Sequence, residues 1–380
     1  MKAFIICSLI LAVLTAACGN KKKSNPAAAL LFMKEPRTFY MGMSPFPSAL
    51  STAAVEWNYG VIARETDLVA HHFDNGIPWA ECLSGAALPA KVTDDWTFRK
   101  ERTPAGHKKY IAITPIDGGR AVLAPAWTAA GDNQPLAPPW DGYDFNHADV
   151  KAAYLDYCRR VIRFFSPDYL NIAIEANLVR QNSPSRWSAL LELHQYVYGA
   201  LKAEYPALPI MVSLTGIDLV EGYTGVDHAA QMDALAQIMP YSDYYGISLH
   251  PHLTAYAPEL DLPADMFDRI FSLSAKPVCI TETSFPAETL TITVPVNYTC
   301  HGTPEKQLRY FRSLFGTAQR YGLRFIVNYL VRDYDQLCLD LGWTDGVNLL
   351  WRDTGLYDGR GDPRPARDAW LETLARPVGN

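Results

Sequence analysis

The sequence predicts an α/β fold, a single (β/α)8 TIM barrel, and three observations carry that expectation. Short β-branched runs alternate with longer helix-like stretches in eight successive units between residues 39 and 374. Strict alternation implies parallel strands joined by crossover helices, and eight such units close into a ring. The turn after the first run, GMSPFPS, lacks the glycine-rich phosphate fingerprint with which an open doubly wound sheet begins. At 380 residues, 49% of them hydrophobic, the chain can fill a barrel core and still carry long loops.

The elements follow in order. Phe39 to Phe46 reads as the first strand and Thr52 to Arg64 as its helix. Asp67 to Phe73 is the second strand; the loop DNGIPW leads on to a helix over Leu88 to Arg102. Lys109 to Pro115 is the third, followed by a Gly/Pro-rich loop from Ile116 to Asn146. In His147 to Phe165, residues Val150, Tyr154, Tyr157, Val161 and Phe164 recur at helical spacing. Tyr169 to Glu175 is the fourth strand. Pro184 to Tyr205 is its helix, with proline in the first turn where the missing N–H costs nothing. Leu208 to Thr215, Asp243 to His250, Lys276 to Glu282 and Leu323 to Tyr329 are the remaining strands. Their helices are Val226 to Met239, Leu262 to Ser272, Pro304 to Tyr321 and Arg364 to Leu374. Irregular loops precede the last two helices.

The first residues read as a targeting segment. Lys2 supplies the charge, and Ala3 to Leu14 the apolar stretch, too short for a permanent membrane span. The stretch LTAAC resembles a bacterial lipoprotein signal, although Thr15 stands where that motif prefers an aliphatic residue. The resemblance implies removal of residues 1–17 and acylation of Cys18, with residues 18–36 as a tether and 37–380 as the barrel. Lipid on Cys18 would hold the protein on a bacterial membrane, outside the cytoplasm; simple secretion is the alternative. Five other cysteines, Cys82, Cys158, Cys279, Cys300 and Cys338, fit no zinc spacing. An oxidising compartment permits a pair, for which Cys300 and Cys338 are the candidates. Cys158 and Cys279, on apolar faces, read as free and buried.

Net charge is −6, and no basic run exceeds Lys21 to Lys23, so nucleic acid is not an expected partner. Twenty-one Tyr and nine Trp suit a surface that stacks on sugar rings, although aromatics also fill cores. Walker, GxSxG and HExxH patterns are missing from the sequence. His71, His72 and Asp74, or His250 and His252, form pairs that suggest a metal, but the sequence dictates no third ligand; neither metal nor cofactor is expected.

Two strands end on glutamate: YLNIAIE on Glu175 and PVCITE on Glu282. Barrel enzymes place their chemistry at C-terminal strand ends. Alternation puts Asn171, Ala173 and Glu175 on one face, and Val278, Ile280 and Glu282 on one face. Strands four and seven lie three apart in the ring, so the two carboxyl groups are expected to meet across its mouth. Two facing carboxyl groups are what glycoside hydrolysis requires.

The chain thus resembles the clan A retaining glycoside hydrolases, on the strand-four glutamate, on ITETSF, and on the tail GLYDGRGDPRPARDAW. The resemblance spans residues 38 to 375 and extends toward the endo-β-1,4-galactanases. It implies Glu175 as acid/base and Glu282 as nucleophile. Endo action on a poly- or oligosaccharide is the expectation, by double displacement and without a cofactor. Where the clan carries Asn before the acid/base, this chain has Ile174; Asn177 is the substitute. Glu282 has to stay ionised, with His250 as its candidate donor and Tyr245 turned to the helices. Glu175 has to stay protonated, raised by burial and by the charge of Glu282. Further candidate sugar-binding residues are His72, Asp74, Trp79, Trp127, His252, Asn328 and Trp343, with Trp140 and Trp351 in the same loops. The alternative is a glycan-binding surface lipoprotein on the same barrel, with no need of both acids.

Overall fold

The computed structural model describes residues 35–295 and 297–379. The candidate signal, Cys18 and the tether up to residue 34 lie outside the described residues. Eight parallel strands close a barrel: β1 (Tyr40–Met43), β2 (Leu68–Phe73), β3 (Lys108–Ile113), β4 (Tyr169–Asn171), β5 (Ile210–Thr215), β6 (Tyr245–Leu249), β7 (Val278–Thr283) and β8 (Phe325–Asn328). Each pairs with its neighbours in sequence. β8 closes onto β1 from Tyr40↔Phe325 to Met43↔Asn328. All eight expected units are present.

Helices cover the outside, and their ends obey local rules. Thr303 caps Pro304–Tyr321 by accepting from Lys306 N–H at 3.2 Å, and Gly322 ends that helix in the left-handed region at φ 64°. The shell packs Val61, Val161, Leu193, Ile238, Phe311 and Trp370 against outward strand residues such as Val69, Val212 and Ile247. The barrel interior is a separate plug of Leu68, Ala70, Tyr110, Ala112, Ile174, Met211, Cys279, Phe325 and Val327. Below it, Arg37 donates to Arg376 O and pairs with Asp67, whose other carboxylate oxygen accepts from Met41 N–H. The C-terminal segment, β1 and the turn into β2 are thereby fastened at one pole.

Three features depart from the sequence reading. Two antiparallel hairpins stand where loops are expected: Ala126–Thr128 with Gly131–Gln134, and Thr289–Ile292 with Tyr298–His301. All five cysteines in the described residues are free, so the Cys300–Cys338 pair does not form. Cys300 joins the main outer core, while Cys338 packs with Leu290, Ile292 and Leu349 under the second hairpin. Finally, β4 ends at Asn171, four residues before Glu175.

Candidate active site

Glu175 and Glu282 do meet at the C-terminal mouth, but neither gets there by alternation. In β7 one extra residue is inserted. Ile247↔Ile280 and Ser248↔Glu282 are partners on one side, Ile326↔Ile280 and Asn328↔Thr283 on the other. A bulge at Thr281 explains both shifts. It sends Val278 and Ile280 outward into the shell and Glu282 inward. The expectation that these three share a face is therefore corrected.

Past β4 the ladder also breaks. Ile172 N–H donates to Met211 O, and Ala176 N–H donates to Ser213 O, four residues on instead of two. Ala173 consequently packs outward and Ile174 into the barrel plug, the reverse of the expected faces. Glu175 sits at the tip of this excursion with φ 50°, a left-handed conformation that costs a non-glycine residue roughly 1–3 kcal/mol. Its N–H donates to Ser213 Oγ at 3.1 Å, which fixes the turn.

One carboxylate oxygen of each glutamate and one ring nitrogen of His250 lie within 4.8 Å of one another. Glu175 is surrounded by donors. Ser248 Oγ donates to Oε1 at 2.7 Å, Thr215 Oγ1 to Oε1 at 3.4 Å, and Arg120 Nε to Oε2 at 3.4 Å. Arg120 is held in turn by Asp117 O at 3.1 Å and by both carboxylate oxygens of Asp74, at 3.3 and 3.2 Å. Its own backbone is left-handed, at φ 52°. Glu282 faces a weaker cation: His72 Nδ1 lies 3.9 Å from Oε2, and the other ring nitrogen of His72 is 3.0 Å from Asp74.

These surroundings invert the expected electrostatics. Burial works to raise Glu175, but the Arg120 guanidinium, with the Ser248 hydroxyl, outweighs it and leaves Glu175 below the usual carboxylate range. Burial pushes Glu282 up, the charge of Glu175 pushes it further, and it reaches about 7. Burial disfavours a charge on His72, yet Asp74 and Glu282 raise it above the ordinary imidazole value. His250 is driven down to about 4 by burial and is neutral; its Nδ1 lies 2.6 Å from Ser284 Oγ. His250 therefore offers the pair a neutral imidazole. A divalent ion among these groups would face the Arg120 guanidinium, so the arrangement reads as a carboxyl pair.

Of the other expected residues, His72, Asp74 and His250 join the two acids. Trp79, Trp127, Asn177, His252 and Asn328 do not reach the cleft. Trp79 is buried, donating to Ala124 O at 3.0 Å and stacking on Trp140; Trp127 is buried beside Phe73. Asn177 is fully buried and spends its amide on Gln231 and on the Thr215 N–H, tying the segment after β4 to β5. His252 is buried behind His250, and Asn328 is buried on the outer face of its strand, donating to Leu330 O. Trp343 packs against the small cluster under the second hairpin. As expected, Tyr245 packs in the outer core.

The structure also adds residues that the sequence reading passes over. Arg120 comes from a loop with no periodic signal, whereas Thr215 was legible on the inward face of β5 with Met211 and Ser213. Ser248 was legible, since it shares the inward face with His250. Phe46, Tyr329 and Trp351 are half-buried and form an aromatic rim. Tyr329 is centred 5.2 Å from Phe46, 5.8 Å from His250 and 6.2 Å from Trp351.

No family model and no curated protein sequence matches this chain. Solved structures do. The exo-beta-1,4-mannosidase Op5Man5 from Opitutaceae bacterium strain TAV5 is similar at TM-score 0.59 and 13% identity, over 90% of this chain and 60% of that one. This chain thus spans less than two thirds of that enzyme. Xylanase 10B from Thermotoga petrophila RKU-1, solved with xylobiose, is similar at 0.56 and 14%, over 94% of this chain and 99% of that one. A GH5_18 variant from Bifidobacterium longum subsp. longum, solved with Manb1-4GlcNAc, is similar at 0.59 and 14%, over 90% and 80%. The fold is that of the glycoside hydrolase TIM barrels. At these identities the likeness speaks for the fold alone.

Proposed function

We propose that the chain is a retaining O-glycoside hydrolase, endo-acting on a β-linked poly- or oligosaccharide. The observation that carries this reading is the approach of Glu175 and Glu282 to within 4.8 Å at the strand ends. Retention asks for carboxyl groups about 5–5.5 Å apart, whereas inversion needs about 6.5–9.5 Å to admit a water. Glu282 attacks the anomeric carbon while the glycosidic oxygen leaves with the proton of Glu175. Water then attacks the glycosyl carbon and gives its proton to Glu175, and the Glu282 carboxylate departs. Phe46, Tyr329 and Trp351 supply faces on which a sugar ring stacks, and His72, Asp74 and His250 supply polar contacts. The structural neighbours include a β-mannosidase, a xylanase and a β-glucuronidase, which sets the first substrates to try.

The test is a panel of β-1,4-mannan, xylan and β-glucuronides with product analysis, on the protein without residues 1–25. Activity on one member is expected, with the anomer retained and turnover nearly abolished in Glu282→Gln. A chain that binds a glycan without cleaving it is instead a capture protein. We further propose that lipid on Cys18 anchors the barrel outside the cytoplasm. Cys18→Ser is then expected to leave the membrane fraction, and its staying there rules the anchor out.

A further inference from the structure

The hydrolase reading needs Glu175 protonated and Glu282 ionised when substrate is cleaved. The hydrogen bonds of the site are built for the opposite arrangement. Three donors converge on Glu175, and one of them is a guanidinium. Glu282 only shares the Ser248 hydroxyl with Glu175, and its nearest charged partner, His72, is drawn to Asp74, 3.0 Å away. We propose that Arg120, clamped by Asp74, is a positioning residue that keeps the proton shared by the carboxyl pair on Glu282 in the free protein, so that hydrolysis runs through the less populated tautomer.

The argument rests on the groups that face each acid. Glu175 is met by Arg120 and Asp74 from the loops after β3 and β2, by Asp218 after β5, by His250 after β6, and by Glu282 of β7. Among them only Arg120 carries a fixed positive charge, because His250 is buried neutral. Glu282 is met by Glu175, His72 and Arg120, by the Ser248 hydroxyl, and by the phenols of Tyr110 and Tyr329. Two like charges this close do not both ionise easily, so one proton is retained and the donors decide where it sits. Arg120 is not free to turn to Glu282. Asp117 caps the backbone N–H groups of Gly119, Ala121 and Val122, which fixes the loop, and Asp74 grips both terminal guanidinium nitrogens. Ser248 is partnered across the ladder with Glu282 and donates to Glu175 at 2.7 Å; its hydroxyl lies within reach of both acids, so the guanidinium and not the serine sets the difference between them.

This inference rests on the proposed hydrolysis for its consequence but not for its test. In the free protein, infrared difference spectra across neutral pH are expected to show one protonated carboxyl band that titrates. The band should vanish in Glu282→Gln and persist in Glu175→Gln, there titrating at lower pH because the charge of Glu175 no longer raises it. Loss in Glu175→Gln instead, or in neither variant, overturns the proposal whether or not any substrate is cleaved. With a cleaved oligosaccharide in hand, Arg120→Met removes the charge and raises the proton affinity of Glu175. The acidic limb of the kcat/KM profile should then move to higher pH by at least half a unit, and Arg120→Lys should move it back. If the basic limb moves up while the acidic limb stays, Glu175 is the ordinary acid and the proposal falls.

Discussion

Arg120 Nε lies 3.4 Å from Glu175 Oε2, and both residues hold left-handed backbone, at φ 52° and φ 50°. Two loops, after β3 and β4, thus each accept a strained residue in order to bring one cation against one carboxylate. Strain of this kind persists only where the surroundings over-determine it. Here Asp117 and Ser213 do so, through the Asp117 carboxylate on its own loop and the Ser213 hydroxyl on the Glu175 N–H.

The pair of acids gives the protein a pH signature. Glu282 binds its proton up to about 7 in the folded state, against the 4.5 of an ordinary glutamate. Between those values the folded chain holds more protons than the unfolded one, so this group's contribution to stability is lost as pH rises. Buried neutral histidines act with the opposite sign. His194 and His250, each lowered to about 4, make the protein less stable as pH falls from 6.5. A comparison isolates the glutamate: Glu282→Gln is expected to gain on wild type between pH 5 and 8, by up to about 3 kcal/mol. Urea unfolding at a series of pH values checks this, and a constant difference between the two proteins contradicts it.

The bulge in β7 depends on space left by its neighbour. A methyl at Gly246 would come within 2.6 Å of Val212 O and 3.1 Å of Thr281 Cγ2. Thr281 is the extra residue, and moving it disturbs the inward turn of Glu282. Gly246→Ala is expected to cost about 1–3 kcal/mol of stability, as overpacking does. It should also lower kcat more than it raises KM. Thermal unfolding and steady-state kinetics measure the two effects separately.

Much of this was readable in the residues, and what was missed has a physical cause. Strict strand–helix alternation is a property of composition and spacing, so eight units closing into a barrel was visible. The convergence of Glu175 and Glu282 was visible too, although alternation pointed to it for the wrong reason. A bulge at Thr281 and a left-handed turn at Glu175 each shift the register, and neither Thr nor Glu announces a break as Gly or Pro does. Arg120 was illegible because its place is set by long-range partners, Asp74 and Glu175, 46 and 55 residues away. Trp79 and Trp127 were misplaced because an aromatic in a barrel loop packs inward as readily as it lines a cleft.

On the rim, Trp351 stands 6.0 Å from His250 and 6.2 Å from Tyr329, half-buried. It touches none of the reacting groups, so it is expected to bind substrate and transition state alike. Trp351→Ala should raise KM up to roughly tenfold, in line with about 0.5–1.5 kcal/mol for an aromatic stack, and leave kcat nearly unchanged. A fall in kcat with KM unchanged would place this ring in the chemistry instead.

The strain at Glu175 can be weighed directly by comparing two variants that both lack its carboxylate. Glu175→Ala and Glu175→Gly lose the same bonds to Ser248, Thr215 and Arg120. They leave Arg120 in the same state, still held by Asp74. What differs is the backbone. Alanine at φ 50° keeps the left-handed penalty, and glycine does not. In an unstrained helix or strand the glycine variant is the weaker by roughly 0.5–1 kcal/mol, because its unfolded chain has more freedom to lose. Here the order is expected to reverse, with Glu175→Gly the more stable by about 1 kcal/mol in urea unfolding. The usual order, alanine above glycine, would mean that the turn carries no strain and that Glu175 reaches its position without cost.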